Sequence, residues 1–329
     1  MKEIVSSNYS VWIGEDSLSK LDILSYSKVA ILVDENTKRD CLHKLPKIDS
    51  HVIIEVKSGE HNKTISTCNY IWEKLTENQF DKNSLLINLG GGVIGDMGGF
   101  CASTFKRGIN FIQIPTTLLS MVDASIGGKL AIDFKNFKNQ IGLFNNPKAV
   151  LIFPDFLDTL PKNILKSGFS EVVKHALIAD RDLWNNISSN RFEDLDWLNI
   201  ITTSISIKNN IVLSDPYEID MRKKLNFGHT YGHAIESFYL KNGTPVLHGE
   251  AVFVGMILES QLSNLHPEEK LEIKNYILSN FSLPFFPKKS DLLPFLINDK
   301  KNKFGKVSFS LLNQIGDCSV DHLFSLDEL

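Results

Sequence analysis

Cysteine is scarce and scattered: four residues, at 41, 68, 101 and 318, with no CxxC pair. That excludes a cysteine zinc site and a disulfide framework, and it suits a reducing compartment. Charge of one sign is also missing. Thirty-five Lys and Arg stand against 39 Asp and Glu, a net charge of −4, so nothing points to nucleic acid or an anionic membrane as partner. No apolar run is long enough to span a bilayer. The opening MKEIVSSNYSVWIGED lacks the continuous apolar stretch of a signal peptide, so the expected location is the cytoplasm. Internal repeats and low-complexity tracts are absent as well. What is present is 43% apolar residues, ample for a large core, and a length that predicts roughly two domains.

The first half alternates strands and helices. Short apolar runs at 28–33 (KVAILV), 51–56 (HVIIEV), 84–89 (SLLINL) and 110–114 (NFIQI) read as strands, and 65–78 has helical spacing. Glycine or turn residues follow these runs, the pattern of a parallel α/β sheet. From about residue 161 the spacing becomes helical, recurring through 195–213, 228–240, 250–265 and 268–281. Strand signals are nearly absent there until 306–312. The expectation is an α/β domain over 1–155 and a mostly helical domain over 156–329, with the boundary near 152–160.

Three of the nine histidines fall within 225–250, at 229, 233 and 248. His229 and His233 are four apart and share a helix face. His248 follows a Gly-Thr-Pro loop. Three imidazoles point to a metal site short of one ligand, and Glu171 in GFSEVVKHALI is the upstream carboxylate to complete it. The plainer reading is an HxxxH coincidence without the Glu of HExxH.

Glycines supply a second pattern. Gly90, Gly92 and Gly95 satisfy GxGxxG between a strand and a helix-compatible segment, where amide N–H groups can hold a pyrophosphate. The acid usually found about 20 residues downstream is missing, but Asp34 ends an upstream strand and serves a ribose if the strand order brings it alongside. A tight packing turn is the alternative. Gly127 and Gly128 precede Lys129, and Lys138, Asn139, Lys106 and Arg107 lie nearby, a set rich in anion donors; each taken alone is an ordinary solvated side chain. It is not a P-loop, because Leu130 replaces Ser or Thr. The cluster 299–303 (DKKNK) reads by default as a solvated loop.

These segments together carry a resemblance. GGGVIGDMGGF, FKRG, IPTTLLSMVDASIGGK, KNQIG, GFSEVVKHALI, LNFGHTYGH and LHGEAVFVGM, in that order, closely resemble 3-dehydroquinate synthase, with matches running from about Asp34 to Lys301. The resemblance implies an N-terminal Rossmann-like NAD domain, a helical C-terminal metal-binding domain, an active site in the cleft between them, and a homodimer. It implies NAD and one divalent metal, zinc or cobalt, as cofactors. The implied reaction, in the shikimate pathway of aromatic amino acid biosynthesis, converts 3-deoxy-D-arabino-heptulosonate 7-phosphate to 3-dehydroquinate and phosphate. Transient oxidation at C5, elimination of phosphate, re-reduction and an intramolecular aldol closure give no net redox.

By motif matching the resemblance makes Glu171, His229 and His248 the metal ligands and His233 a proton-transfer and phosphate-contacting group. NAD contacts become Asp34, Glu60, Lys63, Gly91, Gly92, Asp96, Thr116, Thr117 and Lys138. Substrate contacts become Asp123, Lys129, Asn139, Lys174, Lys208, Arg222, Asn226, His233 and a lysine at 300 or 301, with Arg107 lent to the partner subunit's phosphate site. Three departures stand out: Leu130 where threonine is common, AIDFKNFKNQ without Pro-Leu-Gly, and DPYEIDMR in place of DExExGLR. The rival readings are another NAD- and metal-dependent sugar-phosphate cyclase, a polyol dehydrogenase of the same fold, and a nucleotide-binding protein without activity.

Overall fold

The computed structural model describes every residue except 24, 136 and 298–301. The chain divides into two compact units, Met1–Pro161 and Lys162–Leu329.

The first unit is built on strands β1 (Lys2–Val5), β2 (Ser10–Ile13), β3 (Val29–Asp34), β4 (Val52–Val56), β5 (Leu85–Gly90), β6 (Asn110–Pro115), β7 (Lys129–Phe134), β8 (Phe137–Phe144) and β9 (Ala149–Ile152). Its helices are α1 (Glu35–Asp40), α2 (Ile65–Glu77) and α3 (Gly92–Thr104). Seven strands form one sheet in the order β1-β2-β9-β6-β5-β3-β4, parallel except for β1 against β2. β3 and β5 are buried throughout or nearly so, which is why they read as continuous apolar runs. β1, β2 and β9 are four residues each, too short to carry a period, and gave no clear signal in the sequence.

Helix α3 carries glycines that cost about 1 kcal/mol each in a helix. Close approach explains them. A Cβ on Gly98 would lie 1.9 Å from Asn88 Oδ1 on β5, and one on Gly99 would lie 2.4 Å from Leu130 Cδ2 on β7. Leu130 is buried in the same apolar cluster as Ile94 and Met97. In this chain it is a packing residue over α3. Lys129, Lys138 and Asn139, named from the sequence as anion donors, lie on the antiparallel strands β7 and β8.

The second unit consists of α4 (Lys162–Ala179), α5 (Arg181–Ser189), α6 (Trp197–Ser214), α7 (His229–Lys241), α8 (His248–Leu262), α9 (Pro267–Asn280), α10 (Lys289–Leu296) and a closing hairpin, β10 (Val307–Gln314) with β11 (Asp317–Phe324). Inward faces of α7, α8 and α10 pack with Phe309 and Leu311 of the hairpin. β11 was not expected; its inner face is only partly buried, so its apolar residues do not alternate cleanly. No helix among the described residues is long and apolar enough to cross a membrane.

Candidate functional site

Three helices of the second unit bring Glu171 (α4), His229 (α7) and His248 (α8) together, one potential ligand atom from each lying within 4.8 Å of the others. Backbone contacts set this convergence. A Cβ on Gly249 would lie 1.9 Å from Ser167 O, and Gly249 N–H donates to Ser167 Oγ at 2.9 Å. The first turn of α8 is therefore pinned to α4 one turn before Glu171. A Cβ on Gly255 would lie 2.0 Å from Gly228 O, so α8 also meets the start of α7 at backbone distance. Gly228 takes the left-handed conformation (φ 79°) that turns the chain into α7. Its N–H donates to Glu259 Oε2 at 2.6 Å, and Tyr231 N–H donates to Glu259 Oε1 at 3.0 Å. Glu259 is fully buried. A carboxylate thus caps the N-terminus of the helix whose first residue is His229, where the helix dipole favours it.

The tautomers follow by elimination. His229 Nδ1 lies 3.1 Å from Phe227 O, and His248 Nδ1 lies 3.2 Å from Glu236 Oε2. A carbonyl and a carboxylate can only accept, so each Nδ1 carries its proton. The two Nε2 atoms then face Glu171 Oε1 at 3.4 and 3.3 Å. Ligands about 2.0–2.1 Å from a tetrahedral ion are themselves about 3.3 Å apart. Each nitrogen stands at about that spacing from the carboxylate, and with both imidazoles oriented from behind the three residues fit a divalent metal.

Charge in the site is mixed. Glu171 is buried and forms an ion pair with Lys174 on the same helix. Burial pushes the Glu171 carboxyl up, but Lys174 and then His229 hold it well below its ordinary range. Burial lowers His229 against the pull of Glu171. Burial opposes charge on His248 too, yet Glu236 and Glu171 raise it to about 10. A metal held here would take the Nε2 lone pair of each ring, which His229 already offers and His248 would offer on losing its Nε2 proton. His233 stands one turn beyond His229 with its ring centroid 5.4 Å from that ring and 6.4 Å from His248. It is exposed and lies outside the convergent triplet.

Other predicted contacts of this unit lie on α6 and the turn before α7. Lys208 is buried on α6, and Arg222 is buried in the 3₁₀ turn Met221–Asn226, its Nη1 donating to Pro216 O at 2.6 Å. Asn226 donates to Glu218 Oε1 at 2.9 Å. Asp215, which motif matching passed over, organises this loop. It accepts from the N–H groups of Ile219 (3.0 Å), Asp220 (2.7 Å) and Arg222 (3.1 Å). Burial raises its carboxyl, but the three amides outweigh that and hold it below its ordinary value. The lysine at 300 or 301 lies outside the described residues.

In the first unit the strand order answers the question of the missing acid. β3 lies beside β5, with Leu32 paired to Asn88, so Asp34 and Gly90 each sit two residues further along adjacent strands. The chain leaves β3 toward β4 on one side and β5 toward β6 on the other, a topological switch point where nucleotides bind in such sheets. Gly91 is the N-cap of α3 and Gly92 its first residue, and no side chain among the described residues caps that end. Asp34 itself caps α1, accepting from Thr37 N at 2.8 Å. Thr116 N–H bonds Gly90 O at 3.0 Å, and Thr117 begins the helical turn that holds Asp123. Glu60 is exposed after Gly59.

Lys63 is buried, and its ammonium donates to Asp96 Oδ2 and Asn139 Oδ1, each at 2.6 Å. Burial works against that charge, and Asp96 and Glu60 more than restore it. Lys129 pairs with Phe144 at the open end of the hairpin, whereas Lys138 and Asn139 lie beside its turn, where Phe134 pairs with Phe137. The hairpin therefore separates Lys129 from Lys138 instead of gathering them. Arg107 is exposed in a different turn, where Lys106 (φ 50°) and Arg107 (φ 62°) are both left-handed.

Residues 53–167 match the family model described as 3-dehydroquinate synthase N-terminal, and residues 168–302 the one described as 3-dehydroquinate synthase C-terminal. A 3-dehydroquinate synthase of Parabacteroides distasonis is 39% identical over 324 residues, covering 94% of this chain and 91% of its own length. One from Campylobacter concisus is 38% identical, covering 96% and 92%. Among solved structures, 2-epi-5-epi-valiolone synthase of Streptomyces hygroscopicus, with NAD+ and Zn2+ bound, superposes with a TM-score of 0.87 at 23% identity, covering 100% of this chain and 96% of that one. A 2-deoxy-scyllo-inosose synthase complexed with carbaglucose-6-phosphate, NAD+ and Co2+ gives 0.85 at 24%, covering 99% and 98%. A probable glycerol dehydrogenase of Sinorhizobium meliloti gives 0.60 at 17%, covering 87% and 84%.

Proposed function

The chain belongs to the 3-dehydroquinate synthase family, and we propose that it converts 3-deoxy-D-arabino-heptulosonate 7-phosphate to 3-dehydroquinate and phosphate, using NAD and one divalent metal, zinc or cobalt. The observation that carries the reading is the convergence of Glu171, His229 and His248, with both Nε2 atoms turned toward Glu171. When bound, the metal supplies Lewis acidity toward substrate hydroxyls, and NAD supplies reversible oxidation at one carbon.

The chain's own groups then divide the remaining work. Asp34 and the uncapped amides of α3 suit the ribose and pyrophosphate of the dinucleotide. Lys63 orders Asp96 and Asn139 beside them. On the second unit Lys174 and His233 suit the leaving phosphate, which is itself basic enough to take the departing proton, and Lys129 on the first unit is a further anion donor. Lys174 has a second task, because its pairing with Glu171 keeps that carboxylate ionised. We assign Arg107 to the phosphate site of the partner subunit in a homodimer; its exposure on a left-handed turn supports this. Four free, buried cysteines support a cytoplasmic setting.

Lys208, Arg222 and Asn226 suit the substrate carboxylate, with Arg222 able to engage it in a fork. A cyclase acting on an uncharged-end sugar phosphate has no use for that set. The same difference disfavours a polyol dehydrogenase, which would also release NADH in step with turnover. The test is phosphate release from 3-deoxy-D-arabino-heptulosonate 7-phosphate with zinc and catalytic NAD, while absorbance follows NADH. Many turnovers of phosphate without NADH accumulation, abolished by chelator, are expected. A chain loaded with metal and NAD that releases no phosphate would overturn the substrate assignment.

A further inference from the structure

The two ligand histidines are held from behind by unlike acceptors. His229 Nδ1–H donates to the neutral carbonyl of Phe227, two residues away on its own chain segment. His248 Nδ1–H donates to Glu236 Oε2, a carboxylate on a different helix. Glu236 lies seven residues after His229 on α7, so it shares that ligand's face of the helix. Its side chain is only 10% exposed. His248 needs such support more than His229 does. It is the first residue of α8, directly after a loop, and its side chain is 30% exposed against 11% for His229.

We propose that Glu236 is a positioning residue that completes a carboxylate–histidine–metal relay, holding His248 Nε2 on the metal that Glu171 and His229 also bind. The inference rests on the metal reading given above and extends it. A carboxylate behind the ring fixes its tautomer and rotation and makes Nε2 a stronger donor to a cation. It also ties the start of α8 to α7, the helix that carries His229. Glu236 stands outside the convergent ligand triplet.

The test is competition for Zn2+ between a chromogenic chelator and the full chain, in wild type, Glu236→Gln, Glu236→Ala and His233→Ala. Thermal melting in EDTA serves as the fold control, and the visible spectrum of the Co2+ form reports ligand strength. Glu236→Ala should bind zinc about 10–100-fold more weakly and shift the Co2+ bands. Glu236→Gln keeps an acceptor oxygen without the charge and should fall between it and wild type. His233→Ala should bind as wild type does. Unchanged affinity and spectrum in both Glu236 variants would overturn the proposal. If Glu236→Ala does not fold, Glu236→Gln decides: weaker binding with unaltered melting in EDTA supports the role, and wild-type binding overturns it. A wild-type chain that binds no zinc would instead overturn the metal reading beneath it.

Discussion

The proposed nucleotide end of the first unit and the proposed metal site of the second are made from opposite materials. At the first, the chemistry is offered mainly by backbone amides at Gly91 and Gly92 and by side chains on strand ends and turns. At the second, buried side chains on three helices meet at a point, and glycines at 249 and 255 lock those helices together at backbone distance. A dinucleotide is large and is recognised along its length, so a line of modest contacts serves. A metal ion is recognised within about 2 Å, so every ligand must be fixed by something behind it.

The sharpest way to test that contrast is to remove one ligand. His229→Ala should lower phosphate release by at least about a thousandfold, equivalent to about 4 kcal/mol, in a steady-state assay with zinc in excess. Retention of more than a tenth of wild-type activity would break the account of the metal site. Glu259→Leu comes next. It strips the cap from the Gly228 and Tyr231 amides and should cost about 3 kcal/mol of stability by denaturant unfolding. Arg222→Met should cost about 2 kcal/mol in kcat/KM for the carboxylated substrate, as expected for a lost charged hydrogen bond, and leave zinc affinity alone. Gly92→Ala should do the reverse of Glu259→Leu. A Cβ there meets only Ala124 Cβ at 3.4 Å, so stability should change by less than about 1 kcal/mol while NAD binding weakens. Equal damage to stability from both changes would erase the distinction between the two sites.

Asp215 provides a smaller, pH-dependent test. Its folded pKa is held below the ordinary 3.8 by amide hydrogen bonds. Its contribution to stability is therefore complete above that ordinary value and is lost as pH falls through the folded one. Asp215→Asn should lower Tm at neutral pH and flatten its fall in that acid window, so that the difference from wild type shrinks as pH drops.

Several of these residues were readable in advance and others were not. The parallel strands β3, β5 and β6 announced themselves because burial on both faces makes continuous apolar runs. The long helices did so through their period. The hairpin β7–β8 did not, because β8 is exposed along its length and pairs without a hydrophobic face. Asp34 was legible as a strand-end acid, but only the order of β3 beside β5 shows it next to the glycines. Glu236 carried a signal that passed unused: with His229 and His233 it sits at i, i+4 and i+7, one helix face. Glu259 carried another, an acid directly after the apolar run 251–258, where a charge is buried only with partners. Asp215 carried none, because its three amide donors are fixed by a loop whose course the sequence does not specify.

The central claim is that Glu171, His229 and His248, and not the HxxxH pair, hold one divalent metal. Zinc content per chain, measured by mass spectrometry after exhaustive dialysis of wild type and the single alanine variants at 171, 229, 233 and 248, tests it most directly. The account predicts one zinc per chain in wild type and His233→Ala, and loss in the other three. Loss of zinc from His233→Ala with retention in His248→Ala would contradict it.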